Sequence, residues 1–424
     1  MELNKFIKAV PKGIWAVSMA SLLVAISTSM TFSISPLFMK DVLGISLFAM
    51  GMMEGISEAL SQASKLFSGV IGDISKRKKP ILLSGFILAA ISKPFFILAP
   101  GAGMVMFSKL LERMSNGLMA SPRDAYVANE APLAIRGRCL GLMMSLKTLG
   151  CTLGSWLIAF MLLFTTNYRT LLWIGLIPCT LAIFIIVFYL IETDKSPEPE
   201  HEKIKLSFKA FKHLPNAYWF LLIVASTFMA ARISDGFLII RLQSLGASKA
   251  VCASIIGTFN LISAISCLPI GQLSDKYSRQ SMLYIAFIAL VACHIAFAFA
   301  TNVYVGFLGV ILWGAQRGSS QLLFSAAIAD CVPKNMVGTA IGFFNVVTGL
   351  IAIVVGGVVG MMADSAIHFP FLYGAFVAST SLILLGLNGI KSLQFQDRCI
   401  NGIKCMIFYT INIKQLFTNR NKTR

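Results

Sequence analysis

Gly69-Val-Ile-Gly-Asp73 returns 202 positions later as Gly271-Gln-Leu-Ser-Asp275. Each copy follows the second apolar run of a set of six. After the fourth run of each set the match continues. Glu130, Pro132, Gly137 and Gly141 stand opposite Asp330, Pro333, Gly338 and Gly342, at offsets of 200 to 201. A repeat of six helices in parallel orientation points to two bundles with a site between them.

The composition agrees with helices in a bilayer. The chain has 424 residues, 57% hydrophobic and 13% charged, with a mean hydropathy of +0.79. Soluble proteins carry roughly 45–50% apolar and about 25% charged residues. The long continuous apolar runs exclude a β-barrel, whose strands would be short and alternating. A spanning helix needs about 20 apolar residues. Runs near 14–39, 46–72, 80–99, 103–128, 139–164 and 170–191 form the first set. Runs near 216–241, 249–273, 282–300, 303–329, 338–363 and 368–391 form the second.

These runs predict an all-α polytopic protein of twelve transmembrane helices. Its parts are an N-terminal six-helix bundle (1–192), a polar linker (193–215), a C-terminal six-helix bundle (216–392) and a basic tail (393–424). Alternate loops hold about 24 of the 36 Lys and Arg, against three on the other side, Lys40, Arg169 and Lys249. That asymmetry places both termini in the cytoplasm and explains the net charge of +18 without nucleic acid. Three lysines precede the first run and no cleavage site follows it, so it reads as an uncleaved helix of a bacterial inner membrane. The nine cysteines show no metal or disulfide spacing. No nucleophile–base set is present, so neither an enzyme nor a cofactor is expected.

At the repeated loop the chain resembles the major facilitator superfamily, whose motif reads G-x-x-x-D-R-x-G-R-R. The first copy keeps Gly69, Asp73, Arg77 and Lys78, with Ile74 and Lys76 departing from the pattern. The second keeps Gly271, Asp275, Lys276 and Arg279, with Ser278 in place of Gly. The resemblance covers about residues 14 to 391 and implies twelve helices in two pseudo-symmetric bundles and transport by alternating access. It also implies gating by these loops. A narrower likeness is to an efflux-like bacterial subgroup. It rests on Glu54-Gly55 with Glu58, Lys65 with Ser68-Gly69, Pro122-Arg123-Asp124-Ala125 and Ser234-Asp235-Gly236-Phe237-Leu238. Antiporters of the superfamily often end helix five in G-x-x-x-G-P; here Gly150 and Gly154 are followed by Ser155.

Ionisable residues at membrane depth are costly and normally face a cavity or a partner. Glu54, Glu58, Gln62 and Lys65 are spaced four, four and three apart, which puts them on one helical face. Either Glu58 or Glu54 is a candidate to carry a coupling proton; the alternative is pairing that only holds the bundle. Arg113, followed by Gly117, resembles the superfamily's helix-four motif, in which a buried Arg is tied to proton coupling. Asp235 joins that group. Lys93, Lys147, Arg232, Asn260, Arg317 and Gln321, with Gln62 and Lys65, are candidates to line a substrate cavity. Arg232 and Asp235 are three apart and can share a face, as Arg317 and Gln321 do at four. Arg123 and Asp124 are expected at a gate with Asp73 and Asp275.

Lys and Arg outnumber Asp and Glu at membrane depth by nine to seven. That balance favours an anionic or zwitterionic substrate. The expected function is proton-coupled export of a small organic compound by a monomer in the bilayer. The alternatives are proton symport of an anionic or zwitterionic metabolite, and a non-transporting receptor on the same fold.

Overall fold

A computed structural model describes residues 6–7, 9–74, 78–190, 214–276, 279–333 and 336–386. Within these, the side chains of 65–74, 268–276, 279–280, 134 and several positions between 319 and 339 lie outside the description. So do the expected tail and all of the expected linker before Leu214.

The first half contains α1 (Lys12–Leu37), α2 (Leu47–Ile74), α3 (Lys78–Ile97), α4 (Ala102–Glu130), α5 (Arg136–Met161) and α6 (Tyr168–Tyr189). A π turn, Phe38–Val42, extends α1. The second half contains α7 (Asn216–Ala231), α8 (Asp235–Ser244), α9 (Lys249–Lys276), α10 (Arg279–Ala298), α11 (Val303–Cys331), α12 (Val337–Ser365) and α13 (Phe369–Gly386). Together α7 and α8 make one span, so each half crosses six times. The end of the molecule that carries the α1–α2 and α8–α9 connections is called distal below; α1 begins at the proximal end.

Among the described residues nine helices are long and apolar enough to cross a membrane. The other three, α2, α4 and α11, have 28, 29 and 29 residues but are more polar. They carry Glu54, Glu58, Arg113 and Arg317, which face the interior rather than lipid. Phe160, Phe188, Phe299 and Phe376 are instead exposed on the outside of the molecule, as lipid contact requires.

In lipid the helices gain little from hydrophobic burial against one another, so small residues and hydroxyls do the joining. Gly150 and Gly154 of α5 lie under the carbonyls of Leu22 and Ile26 on α1, with no room for a Cβ. Ser27 of α1 donates to the Gly175 carbonyl on α6, and Ser29 to that of Cys151 on α5 at 2.6 Å. The halves meet along two seams, α2 against α12 and α5 against α9. On the first, Gly51 and Gly356 approach so closely that a Cβ on either would strike the other's carbonyl oxygen.

One expectation is corrected. The run 216–241 was expected as a single helix, but it breaks at Arg232-Ile233-Ser234. Arg232 takes an extended conformation (φ −82°, ψ 90°), as does Ser234 (φ −64°, ψ 142°). Ser234 then caps α8, its hydroxyl accepting from the Gly236 N–H, and Asp235 occupies the first turn. A Ser cap followed by an acidic residue is a helix-start signal, and hydropathy alone hides it.

Candidate functional site

A cavity of about 660 Å³ lies between the halves, with walls from both. Pockets that take small molecules run from about 300 to 1,000 Å³. The first half contributes Glu54, Glu58 and Gln62 from α2, Arg113 and Arg123 from α4, and Lys147 from α5. The second contributes Arg232 and Asp235 from the α7–α8 break, Asn260 from α9 and Arg317 from α11.

Helices α2 and α4 pack against each other at the first wall. Glu54 accepts from Lys109, and Arg113 Nη2 stands 3.9 Å from its other oxygen. Lys109 and Arg113 also lie over the Phe32 ring, at 5.7 and 5.5 Å from its centre. Two cations thus flank Glu54. One turn further along, Glu58 accepts from the neutral amide of Gln62 at 2.7 Å. It acts electrostatically on Arg113 across the wall and on Arg232 in the other half.

In the second half Arg317 Nη1 reaches both oxygens of Asp235, at 2.6 and 2.8 Å. The Trp313 indole donates to the same carboxylate at 2.9 Å, and the Arg317 guanidinium lies 5.0 Å from the Phe259 ring centre. The partner of Asp235 is therefore Arg317, 82 positions away, and not Arg232 three positions away. The break in the span removes the helical phase on which the three-apart pairing depended.

Lys93 was expected on the cavity wall and is elsewhere. It is 1% exposed inside the first bundle, 3.5 Å from Glu112 and 3.4 Å from the Thr31 hydroxyl. Arg123 lines the proximal part of the cavity and pairs with its neighbour Asp124 at 2.9 Å. Helices α2 and α9 run through Gly69 to Asp73 and Gly271 to Asp275. The side chains of Lys65, Asp73, Asp275, Arg279 and Gln321 are outside the described residues, as is all of Arg77.

The distal end holds a cluster that sequence reasoning missed. Asp41, in the π turn, accepts from Gln243 of α8 at 3.1 Å and from the Tyr168 hydroxyl at 3.2 Å. Lys249 at the start of α9 stands 4.0 Å away, and Lys40 donates to Gln243 at 3.3 Å. The carboxylate of Asp364, at the end of α12, accepts from the Leu47 and Phe48 N–H groups at 2.9 and 3.0 Å. Both contacts tie one half to the other. A signal existed: two of the three basic residues in the sparse loops, Lys40 and Lys249, belong to this cluster.

The family model of the Major Facilitator Superfamily matches residues 17–388. The chain belongs to that superfamily. An uncharacterised transporter of the same type from Methanocaldococcus jannaschii is 26% identical over 394 residues, covering 90% of this chain and 96% of that one. A multidrug resistance efflux pump of Streptococcus pneumoniae is 23% identical over 383 residues, covering 88% and 94%. The crystal structure of a nucleoside transporter superposes with a TM-score of 0.76 at 13% identity, covering 88% of this chain and 98% of that one. At that identity the superposition shows the fold alone. This superfamily member is thus a membrane transporter with a cavity between two six-helix halves.

Proposed function

We propose that this chain is a proton-coupled secondary transporter that exports a small organic compound by alternating access. The observation that carries the reading is Glu58. It is a carboxylate on the wall of a cavity shared by both halves, hydrogen-bonded to a neutral amide. Glu54 beside it is paired with two cations. A carboxylate on a shared cavity wall, beside a second carboxylate that is engaged by two cations, is suited to carry a coupling proton. Arg113, drawn to both carboxylates, would respond to that change. The efflux-like motifs at Pro122-Arg123-Asp124-Ala125 and Ser234-Asp235 support export, as does the likeness to a multidrug pump.

The contacts of Asp41 and Asp364 close the distal end between the halves, while the cavity reaches Arg123 and Ile341 near the proximal ends of their helices. If both termini lie in the cytoplasm of a bacterial inner membrane, the cavity extends towards the inside. Gating by the loops at Asp73 and Asp275 belongs to the same reading.

A second reading, symport of an anionic metabolite into the cell, is favoured by Arg232, a cavity cation with no salt bridge among the described residues. Deletion of the chain separates the two. Export predicts raised accumulation of, or sensitivity to, a compound; uptake predicts a growth defect on one nutrient. Neither phenotype, with signalling intact after loss of both carboxylates, would mark a receptor.

A further inference from the structure

Several charges on the cavity wall are paired directly. Glu54 is matched by Lys109 and Arg113, Arg123 by Asp124, and Asp235 by Arg317. Among the described residues Arg232 makes no side-chain hydrogen bond and no salt bridge. The charges that act on it are Arg317, which repels it, and Asp235 and Glu58. Asp235 is already engaged by Arg317 and Trp313. Near the break, Arg317 and Asp235 offset each other, and Arg232 feels Glu58 only across the cavity, without a direct bond to it.

An unpaired guanidinium at membrane depth is expensive, and such residues normally find a partner or a water-filled path. Arg232 is kept there by the break itself. The chain leaves α7 at Ala231 and enters α8 at Asp235, and the three residues between them cross the cavity wall. The N–H groups of Ser234 and Asp235 also lack an acceptor among the described residues. Irregular backbone at this depth is tolerated where it lines a cavity. The wall at the break thus offers the five donors of the Arg232 guanidinium.

We infer that Arg232 is the recognition point for the substrate, and that the substrate carries an anionic group, a carboxylate, sulfonate or phosphate. This deepens the transporter reading and rests on it. The anionic group docks against Arg232 in the second half, and the rest of the molecule lies towards Phe259 and Asn260. A planar guanidinium binds carboxylate or phosphate through two parallel hydrogen bonds, which gives direction as well as charge.

The test reads binding, not transport. Purified protein in neutral detergent is unfolded thermally at constant ionic strength with benzoate, sulfate, benzylamine or benzyl alcohol. A ligand that binds only the folded chain raises its melting temperature. Benzoate and sulfate should raise it, and benzylamine and benzyl alcohol should not. Arg232→Gln should abolish the anion response without lowering the melting temperature of the unliganded protein, because no pair is broken. Arg232→Lys keeps the charge but loses the fork, and should keep part of the response. If Arg232→Gln misfolds, modification of Arg232 by p-hydroxyphenylglyoxal in the unsubstituted chain decides, with protection by sulfate expected. An anion response that survives in Arg232→Gln, a response to all four probes alike, or no response to either anion would overturn the inference. Glu58→Gln tested the same way should keep the anion response, so a failure of proton coupling is read separately.

Discussion

The hydroxyl of Ser155 on α5 lies 2.8 Å from the backbone nitrogen of Gly257 on α9, from which it accepts a hydrogen bond. It donates to the carbonyl of Ala253, one turn earlier, at 2.7 Å, and accepts from the Ser33 hydroxyl of α1 at 2.9 Å. Both lone pairs and the proton are used. A side chain from one half is thus inserted beside the backbone ladder of the other, where inserted groups commonly bend helices. The position is the one at which related antiporters often have proline, which has no hydroxyl to make this contact. Ser155→Ala should lower the stability of the protein by about 1 kcal/mol, read as a small drop in apparent melting temperature. Ser155→Val, which adds bulk between α5 and α9 where Ser155 is fully buried, should cost more.

Release of the distal cluster should open that end. Asp41 is the group shared by Gln243, Tyr168 and Lys249. Cys252, fully buried on α9, is a natural reporter close to it. Asp41→Ala should raise the rate at which a membrane-impermeant maleimide labels Cys252 from the distal side, severalfold over the unsubstituted chain. Mass mapping of the labelled cysteine is the measurement. Lys249→Ala should have a smaller effect, because its contact is longer and its side chain is 44% exposed.

The Asp235–Arg317 pair should show strong coupling. Asp235→Asn leaves Arg317 without its bonded carboxylate, near the like charge of Arg232, and should cost about 2 kcal/mol. Adding Arg317→Gln should return part of that loss. A double-mutant cycle on thermal stability measures the coupling, and an additive result would contradict the pairing.

Lys93 and Glu112 should matter to the bundle rather than to the cargo. Lys93→Met alone leaves the Glu112 carboxylate without its cation and should destabilise by about 3–5 kcal/mol. Lys93→Met with Glu112→Leu should fold nearly as well as the unsubstituted chain and transport at a similar rate. Loss of transport by a well-folded double variant would return Lys93 to the substrate path.

How much of this was legible follows from which signals are local. The two copies of the Gly-x-x-x-Asp loop motif gave the number of helices and the parallel repeat, because both depend only on order along the chain. The four-residue spacing of Glu54, Glu58 and Gln62 placed them on one face, and that face lines the cavity. The pairings were less legible. Glu112 and Arg113 point different ways on a helix, and each indeed has a different partner, Lys93 and Glu54. The choice of Arg317 for Asp235 depends on how α8 meets α11, and no spacing encodes that. The break at Arg232–Ser234 was hidden because its residues sit inside one apolar run of spanning length. Its only local mark, Ser234-Asp235 as a helix start, had been read as a family motif.

The central claim is that Glu58, beside the cation-paired Glu54, carries the coupling proton. The most direct test reconstitutes the protein in vesicles with an imposed pH gradient. The cargo would be any compound from the stability panel that the chain carries. The account predicts that Glu58→Gln abolishes gradient-driven accumulation while exchange at equal pH on both sides survives. Full gradient-driven transport by a Glu54→Gln/Glu58→Gln double variant would contradict it.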